Sequence, residues 1–135
     1  MKTIIESHIP YIKGALEPFG EVLYLEPEQF TPEAVADADA LVVRTRTRCD
    51  AALLDGSNVK FVGTATIGTD HIDLNYCASR GIKVASAPGC NAPAVAQYVL
   101  AHVGRRIAAL GVAPSDCTIG IVGVGHIGRI IERWA

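Results

Sequence analysis

The sequence contains no Cys-x-x-Cys pair: its four cysteines, Cys49, Cys77, Cys90 and Cys117, lie far apart. That spacing argues against a zinc site or a disulfide framework and favours a reducing cytoplasm; no metal is expected. No apolar run approaches the roughly 18–20 residues needed to cross a bilayer. The opening Met1–Lys2–Thr3–Ile4–Ile5–Glu6 has no signal-peptide core, so no membrane partner is expected. Basic residues are not in excess. The formal net charge is −2, which argues against a nucleic-acid binder. Fixed-period repeats and low-complexity segments are missing too. What remains is 135 residues, half of them hydrophobic, with 19% charged and 6% aromatic. This is the balance of an ordinary globular α/β domain, with enough apolar content for a core.

Charge is unevenly distributed. Residues 1–40 hold eight acids and two bases, whereas residues 41–135 hold ten bases and six acids, a local balance of +4. A mild positive bias suits small anionic ligands.

Short β-like runs alternate with helical stretches. Strands are expected at Thr3–Ile5, Glu21–Leu25, Ala40–Val43, Lys60–Gly63, Lys83–Ala85 and Thr118–Val122. Helices are expected at Pro10–Pro18, after a Thr31 cap with Pro32 in first position, at Ala51–Leu54, Asp70–Arg80 and Asn91–Leu110, and from Gly125 onward. Gly81 and Gly111 read as left-handed stops. Such alternation predicts a parallel sheet with helices on its faces. Val112–Asp116 reads as a linker. Beyond it, Ile119, Ile121 and Val122 suggest a strand buried on both sides. Ile127, Ile130, Ile131 and Trp134 form an apolar helical stripe that needs a sheet to cover it. With one strand to receive that stripe, the second domain is expected to be incomplete.

Four segments could carry chemistry. Gly123–Val124–Gly125–His126–Ile127–Gly128 follows an expected strand and opens an expected helix, the context a GxGxxG motif requires. Gly123, Gly125 and Gly128 would allow a tight turn, close approach of backbone to a pyrophosphate, and close helix–strand packing. The acidic residue expected about 20 positions later falls past residue 135, so the motif itself does not separate NAD from NADP. Arg44–Thr45–Arg46–Thr47–Arg48 leaves the carboxyl end of a strand. In an extended chain its arginines would share one face, suited to carboxylate or phosphate; internal salt bridges are the competing reading. Gly63–Thr64–Ala65–Thr66–Ile67–Gly68–Thr69–Asp70–His71–Ile72–Asp73 also leaves a strand end, with Asp70 as a helix cap and His71 in the first turn. In Ala87–Pro88–Gly89–Cys90–Asn91–Ala92, Asn91 reads as an N-cap and Cys90 as structural. His8 and His102 are read as structural.

Taken together and in order, Val43–Arg44–Thr45–Arg46–Thr47, the Gly63–Asp73 segment, the Ala87–Ala92 turn and Gly120–Ile121–Val122–Gly123–Val124–Gly125 resemble the front portion of the D-isomer-specific 2-hydroxyacid dehydrogenases. The Gly63–Asp73 and Ala87–Ala92 segments are most similar to the branch that acts on 4-phospho-D-erythronate. The resemblance implies NAD as cofactor, a small phosphorylated hydroxy acid as substrate, and oxidation to 2-oxo-3-hydroxy-4-phosphobutanoate in pyridoxal 5′-phosphate biosynthesis. It also implies a cytoplasmic homodimer. Thr45 and Thr66 would meet the substrate, and His126 and Ile127 would lie at the cofactor turn. Residues 1–90 would form a flavodoxin-like substrate-binding domain. Residues 91–135 would supply a crossing helix and the start of a truncated Rossmann nucleotide-binding domain. The family's catalytic arginine, glutamate and histidine map onto no residue of this sequence, so turnover by these 135 residues alone is not expected. Two other readings stay open: a binding or interaction module using the Ile127–Trp134 stripe, and a dehydrogenase of another 2-hydroxy acid such as phosphoglycerate.

Overall fold

Five short apolar runs form the strands of one sheet in the computed structural model, which describes residues 1–135. They are β1 (Lys2–Glu6), β2 (Glu21–Leu25), β3 (Ala40–Val43), β4 (Phe61–Thr64) and β5 (Lys83–Ala85). All neighbours are parallel, in the order β2-β1-β3-β4-β5. This is the flavodoxin-like arrangement. The helices are α1 (Pro32–Val35), α2 (Ala51–Leu54), α3 (Leu74–Ser79), α4 (Ala92–Leu110) and α5 (Gly128–Trp134). The chain divides into two compact units, Met1–Pro88 and Gly89–Ala135. No helix is long and apolar enough to cross a membrane.

Period-two alternation decides which side chains meet the core. Ile4, Leu41, Val43 and Val62 turn to one face of the sheet. There they join Val35 of α1, Leu53 and Leu54 of α2, and Cys77 of α3. On the opposite face Thr3, Ala40, Val42 and Phe61 line an apolar cleft of about 530 Å³ with Met1 and Leu16. Helices therefore cover one face of this unit rather than both. The reason lies in residues 10–18, which form turns instead of the expected helix and reach only a 3-10 turn at Glu17–Phe19. Tyr11 sits at φ +59 and Gly14 at φ +87, and a left-handed residue in each turn prevents an α-helical ladder.

Local signals set several boundaries. The Thr31 hydroxyl accepts the Ala34 amide at 3.3 Å, with Pro32 in first position. Gly81 and Gly111 adopt φ +70 and +68 where α3 and α4 stop. The start of α3 is later than expected. Asp73, not Asp70, caps it by accepting the Tyr76 amide at 2.9 Å. Before that point the chain makes a bridge between Cys49 and Ile72: the Cys49 amide donates to the His71 carbonyl and the Asp73 amide to the Cys49 carbonyl, both at 2.8 Å. Asn91 occupies the cap position of α4 without a side-chain bond to it.

In the second unit the expected strand Thr118–Val122 does not form. Val122 is fully exposed, and no other strand lies in this unit to pair with it. A lone strand leaves its backbone groups to water and gains no ladder. The α5 stripe is covered unevenly: Ile131 is buried, whereas Trp134 stays 57% exposed. Trp134 lines an apolar cleft of about 580 Å³ together with Leu100, Val103 and Ile107 of α4.

Candidate functional site

In a parallel sheet the carboxyl strand ends face one edge, and ligands bind where the strand order reverses. Here the chain steps from β1 outward to β2, then returns to β3 on the other side of β1. The reversal lies between β1 and β3. At their carboxyl ends is a cleft of about 370 Å³ lined by Glu6, His8, Arg44, Thr45 and Arg46.

Glu6 organises this edge. It shares the core-facing side of β1 with Ile4 and is only 1% exposed. Its Oε2 accepts the Arg44 backbone amide at 2.8 Å and the Thr47 hydroxyl at 2.9 Å. A carboxylate makes stronger, charge-assisted bonds to such donors than a neutral acceptor does. The 44–48 run consequently bends into a turn around Glu6, and Thr47 becomes buried. The extended geometry with three arginines on one face is thereby corrected. Each arginine goes its own way: Arg44 Nη1 donates to the His8 carbonyl at 2.9 Å, Arg46 pairs with Glu28 at 3.0 Å, and Arg48 pairs with Asp50 at 2.6 Å. Internal ion pairs, the competing reading of this run, account for Arg46 and Arg48. Thr45 is exposed at the cleft. His8, read from sequence as structural, also lines it, with Nε2 3.0 Å from Glu26.

The loop after β4 adds a chain of polar bonds. Thr66 Oγ1 donates to the Gly68 carbonyl at 3.1 Å. Its hydrogen is spent there, so Thr64 donates across the 2.7 Å contact to Thr66. Thr64 in turn accepts from His71 Nε2 at 3.0 Å. Proton counting therefore places a proton on His71 Nε2. Burial pushes the His71 pKa below its ordinary value, while the charges of Asp70 and Glu6 pull the other way. The Cys49–Ile72 bridge ties this loop to the one after β3, so both segments share one rigid edge.

The glycine turn lies in the second unit. Gly123 has φ +91, which favours glycine. A Cβ on Gly128 would overlap the Gly123 carbonyl oxygen, whereas one on Gly125 would meet open space. The first and third glycines are thus required by the turn itself, and the second leaves its outer surface clear for a ligand. His126 is exposed with its ring against Gly89, Ile127 is partly buried and Gly128 is buried. These features fit a dinucleotide cradle.

Glu6 was the residue that motif reasoning passed over. Its signal was an acid in register with the core-facing Ile4 of an apolar strand, since a carboxylate buried there must be satisfied by donors.

Fold and edge together define a flavodoxin-like α/β unit with a crevice at its switch point. A family model described as D-isomer specific 2-hydroxyacid dehydrogenase, catalytic domain, matches residues 3–126, and the chain belongs to this family. Erythronate-4-phosphate dehydrogenase of Bacteroides fragilis is 53% identical over 136 residues, covering 100% of this chain and 39% of that protein. The Porphyromonas gingivalis protein of the same name is 43% identical over 135 residues, covering 100% of this chain and 37% of its own length. The chain thus spans well under half of the curated relatives it matches. Among solved structures, an NAD-dependent formate dehydrogenase from Staphylococcus aureus in complex with NAD aligns with TM-score 0.70 at 22% identity, over 100% of this chain and 53% of that one. A cofactor (NAD+)-bound 3-phosphoglycerate dehydrogenase from Entamoeba histolytica aligns with TM-score 0.67 at 23% identity, over 99% and 50%. At these identities the likeness concerns fold.

Proposed function

We propose that this chain provides the substrate-recognising part of an NAD-dependent dehydrogenase that oxidises 4-phospho-D-erythronate to 2-oxo-3-hydroxy-4-phosphobutanoate in pyridoxal 5′-phosphate biosynthesis. The observation that carries the reading is the switch-point cleft with Thr45 at its mouth, in a chain matched along its whole length by proteins named for that substrate. Residues 1–90 form the substrate-binding domain, and residues 91–135 supply the crossing helix and part of the nucleotide-binding domain.

Thr45 and Thr66 contact the substrate. Thr45 offers a free hydroxyl at the cleft, and Thr66, whose own hydrogen lies on the Gly68 carbonyl, accepts from Thr64 and keeps a lone pair for a substrate hydroxyl. The backbone of Gly123, Gly125 and Gly128, with His126 and Ile127, holds the pyrophosphate of NAD, which when bound supplies the hydride acceptor. None of the four histidines is assigned the hydroxyl proton. His71 keeps its Nε2 proton on Thr64, His8 faces Glu26, His102 bonds the Tyr98 carbonyl, and His126 packs at the glycine turn. These residues bind and orient, and catalytic residues are assigned to none of the 135 positions. The working enzyme is a cytoplasmic homodimer in this proposal.

Calorimetric titration of the chain with 4-phospho-D-erythronate, D-erythronate and 3-phospho-D-glycerate tests the reading. The expected order places 4-phospho-D-erythronate tightest. Thr45→Val and Thr66→Val should each weaken it roughly 2–12-fold, the range for one lost neutral hydrogen bond. Tighter binding of 3-phospho-D-glycerate would move the assignment to another acid, and no binding of any of the three would overturn it.

A further inference from the structure

The loop after β4 fixes the direction of a hydroxyl as well as its place. Its backbone is held on both sides: the Ala65 amide donates to the Val43 carbonyl at 2.9 Å, and the Ala87 amide donates to the Thr66 carbonyl at 3.2 Å. With the main chain anchored, the freedom left to Thr66 is rotation of its side chain and of its O–H. Three bonds running head to tail remove that freedom. His71 Nε2 donates to Thr64 Oγ1 at 3.0 Å, Thr64 donates to Thr66 Oγ1 at 2.7 Å, and Thr66 donates to the Gly68 carbonyl at 3.1 Å. The series ends at Gly68 because a carbonyl only accepts, and it begins at His71 because Nε2 carries a proton. Reversing it would need a bare Nε2 and would strip the Gly68 carbonyl of its donor. Thr64 and His71 are both buried, so a partner lost from the middle of the series leaves a group that water does not readily satisfy.

We infer that His71 is a positioning residue that acts through Thr64 to make the Thr66 hydroxyl an acceptor only, so that Thr66 selects a hydroxyl of its ligand and refuses an anionic oxygen. The inference rests on the proposed contact between Thr66 and the substrate and specifies which part of the substrate that contact reads. A threonine oxygen has two lone pairs and one hydrogen. Thr64 occupies one lone pair, and the Gly68 carbonyl takes the hydrogen. The remaining lone pair meets a donor or nothing. Ionised carboxylate and phosphoryl oxygens bring no hydrogen, whereas an alcohol does. Thr45 has no such series behind it and rotates to meet either kind of partner. Selectivity at Thr66 is therefore set behind it, by two buried side chains that do not themselves touch the ligand. The Nε2 proton is present in the neutral Nε2–H tautomer and in the imidazolium alike, so the direction of the series does not depend on the charge of His71.

Two measurements on the chain test this. Nitrogen-15 NMR of the His71 ring in the wild type should find the proton on Nε2. A bare Nε2, with the proton on Nδ1, would reverse the series and overturn the inference whatever the chain binds. Calorimetric titration then compares 4-phospho-D-erythronate with its 2-deoxy and 3-deoxy analogues. The wild type should prefer the parent acid over one of the two, and in Thr66→Val that preference should fall roughly 2–12-fold, the range for one neutral hydrogen bond. Thr64→Val and His71→Leu should lower the same preference, and His71→Gln, whose side-chain amide donates from a similar place, should restore it relative to His71→Leu. Far-UV circular dichroism checks that the variants fold, and Thr64→Val decides the matter if His71→Leu does not. A merely structural role for His71 would weaken the parent acid and the analogue together, leaving their ratio at the wild-type value. That result would overturn the inference and leave the substrate reading intact. Failure of every acid to bind the wild type would overturn both.

Discussion

Removing the Glu6 carboxylate should loosen the edge on which Arg44 and Thr45 sit. In Glu6→Ala two donors lose their acceptor, the Arg44 amide and the buried Thr47 hydroxyl. The buried Thr47 donor costs about 1–3 kcal/mol when orphaned, and the half-buried Arg44 amide, which water can reach, adds about 1 kcal/mol more. Loss of the buried charge returns part of this, since the carboxylate no longer has to be desolvated. Set against a total of about 5–15 kcal/mol for a domain, the variant should be markedly weakened. Glu6→Gln retains one carbonyl acceptor and should lose only about 1–2 kcal/mol. Urea unfolding followed by circular dichroism gives both numbers, and amide exchange at Arg44 reports the turn directly. Glu6→Ala should abolish the slow exchange of that amide before global unfolding does. A loss under about 1 kcal/mol, with Arg44 protection unchanged, would refute the claim that Glu6 holds the turn.

Three other expectations concern separate parts of the chain. His71 should titrate below the ordinary histidine value of about 6.5, because burial disfavours its charged form. The unfolded chain then binds more protons than the native one between the lowered native value and 6.5, so stability is full above about 6.5 and declines as pH falls through that window. A native His71 value at or above 6.5, read by NMR titration, would contradict this. With a thiol reagent at pH 8, Cys90 and Cys117 should react in the native chain while Cys49 and Cys77 stay protected. Burial, reinforced by Cys77, Asp50 and Glu6, pushes the Cys49 thiol up to about 12, and four reactive thiols in the native chain would contradict the core described here. Gly128→Ala should disorder the amide resonances of residues 123–134, because its Cβ overlaps the Gly123 carbonyl, whereas Gly125→Ala, which meets open space, should leave them in place. Equal spectra for the two variants would refute the turn geometry.

Local chemistry made much of the fold legible. The alternation of apolar runs and helical stretches gave the parallel sheet, Gly81 and Gly111 the helix stops, and Thr31 with Pro32 a helix start. Long-range pairing was invisible to the same reading. The start of α3 depends on a bridge between Cys49 and Ile72. The bend of the arginine run depends on a carboxylate 38 positions earlier in the chain. The Ile4–Glu6 spacing marks Glu6 as core-facing, but the local pattern names the partner in neither contact. Residues 10–18 failed as a helix for a conformational reason, the left-handed Tyr11, that propensity does not encode. Thr118–Val122 has the composition of a strand, yet a strand exists only through a neighbour. At the site, the glycine turn and the two strand-end loops were readable as motifs. The roles of Glu6 and His8 emerged only when β1 and β3 were placed side by side.

In the proposed function the carboxyl edge at the β1–β3 switch point receives a phosphorylated hydroxy acid. Chemical-shift mapping of the isotopically labelled chain during titration with 4-phospho-D-erythronate addresses it most directly. Saturable shifts should centre on Arg44, Thr45 and Arg46 and extend to Thr66, while the apolar cleft around Met1 and Phe61 stays silent. Shifts confined to that apolar cleft, or none at any residue of the edge, would contradict the account.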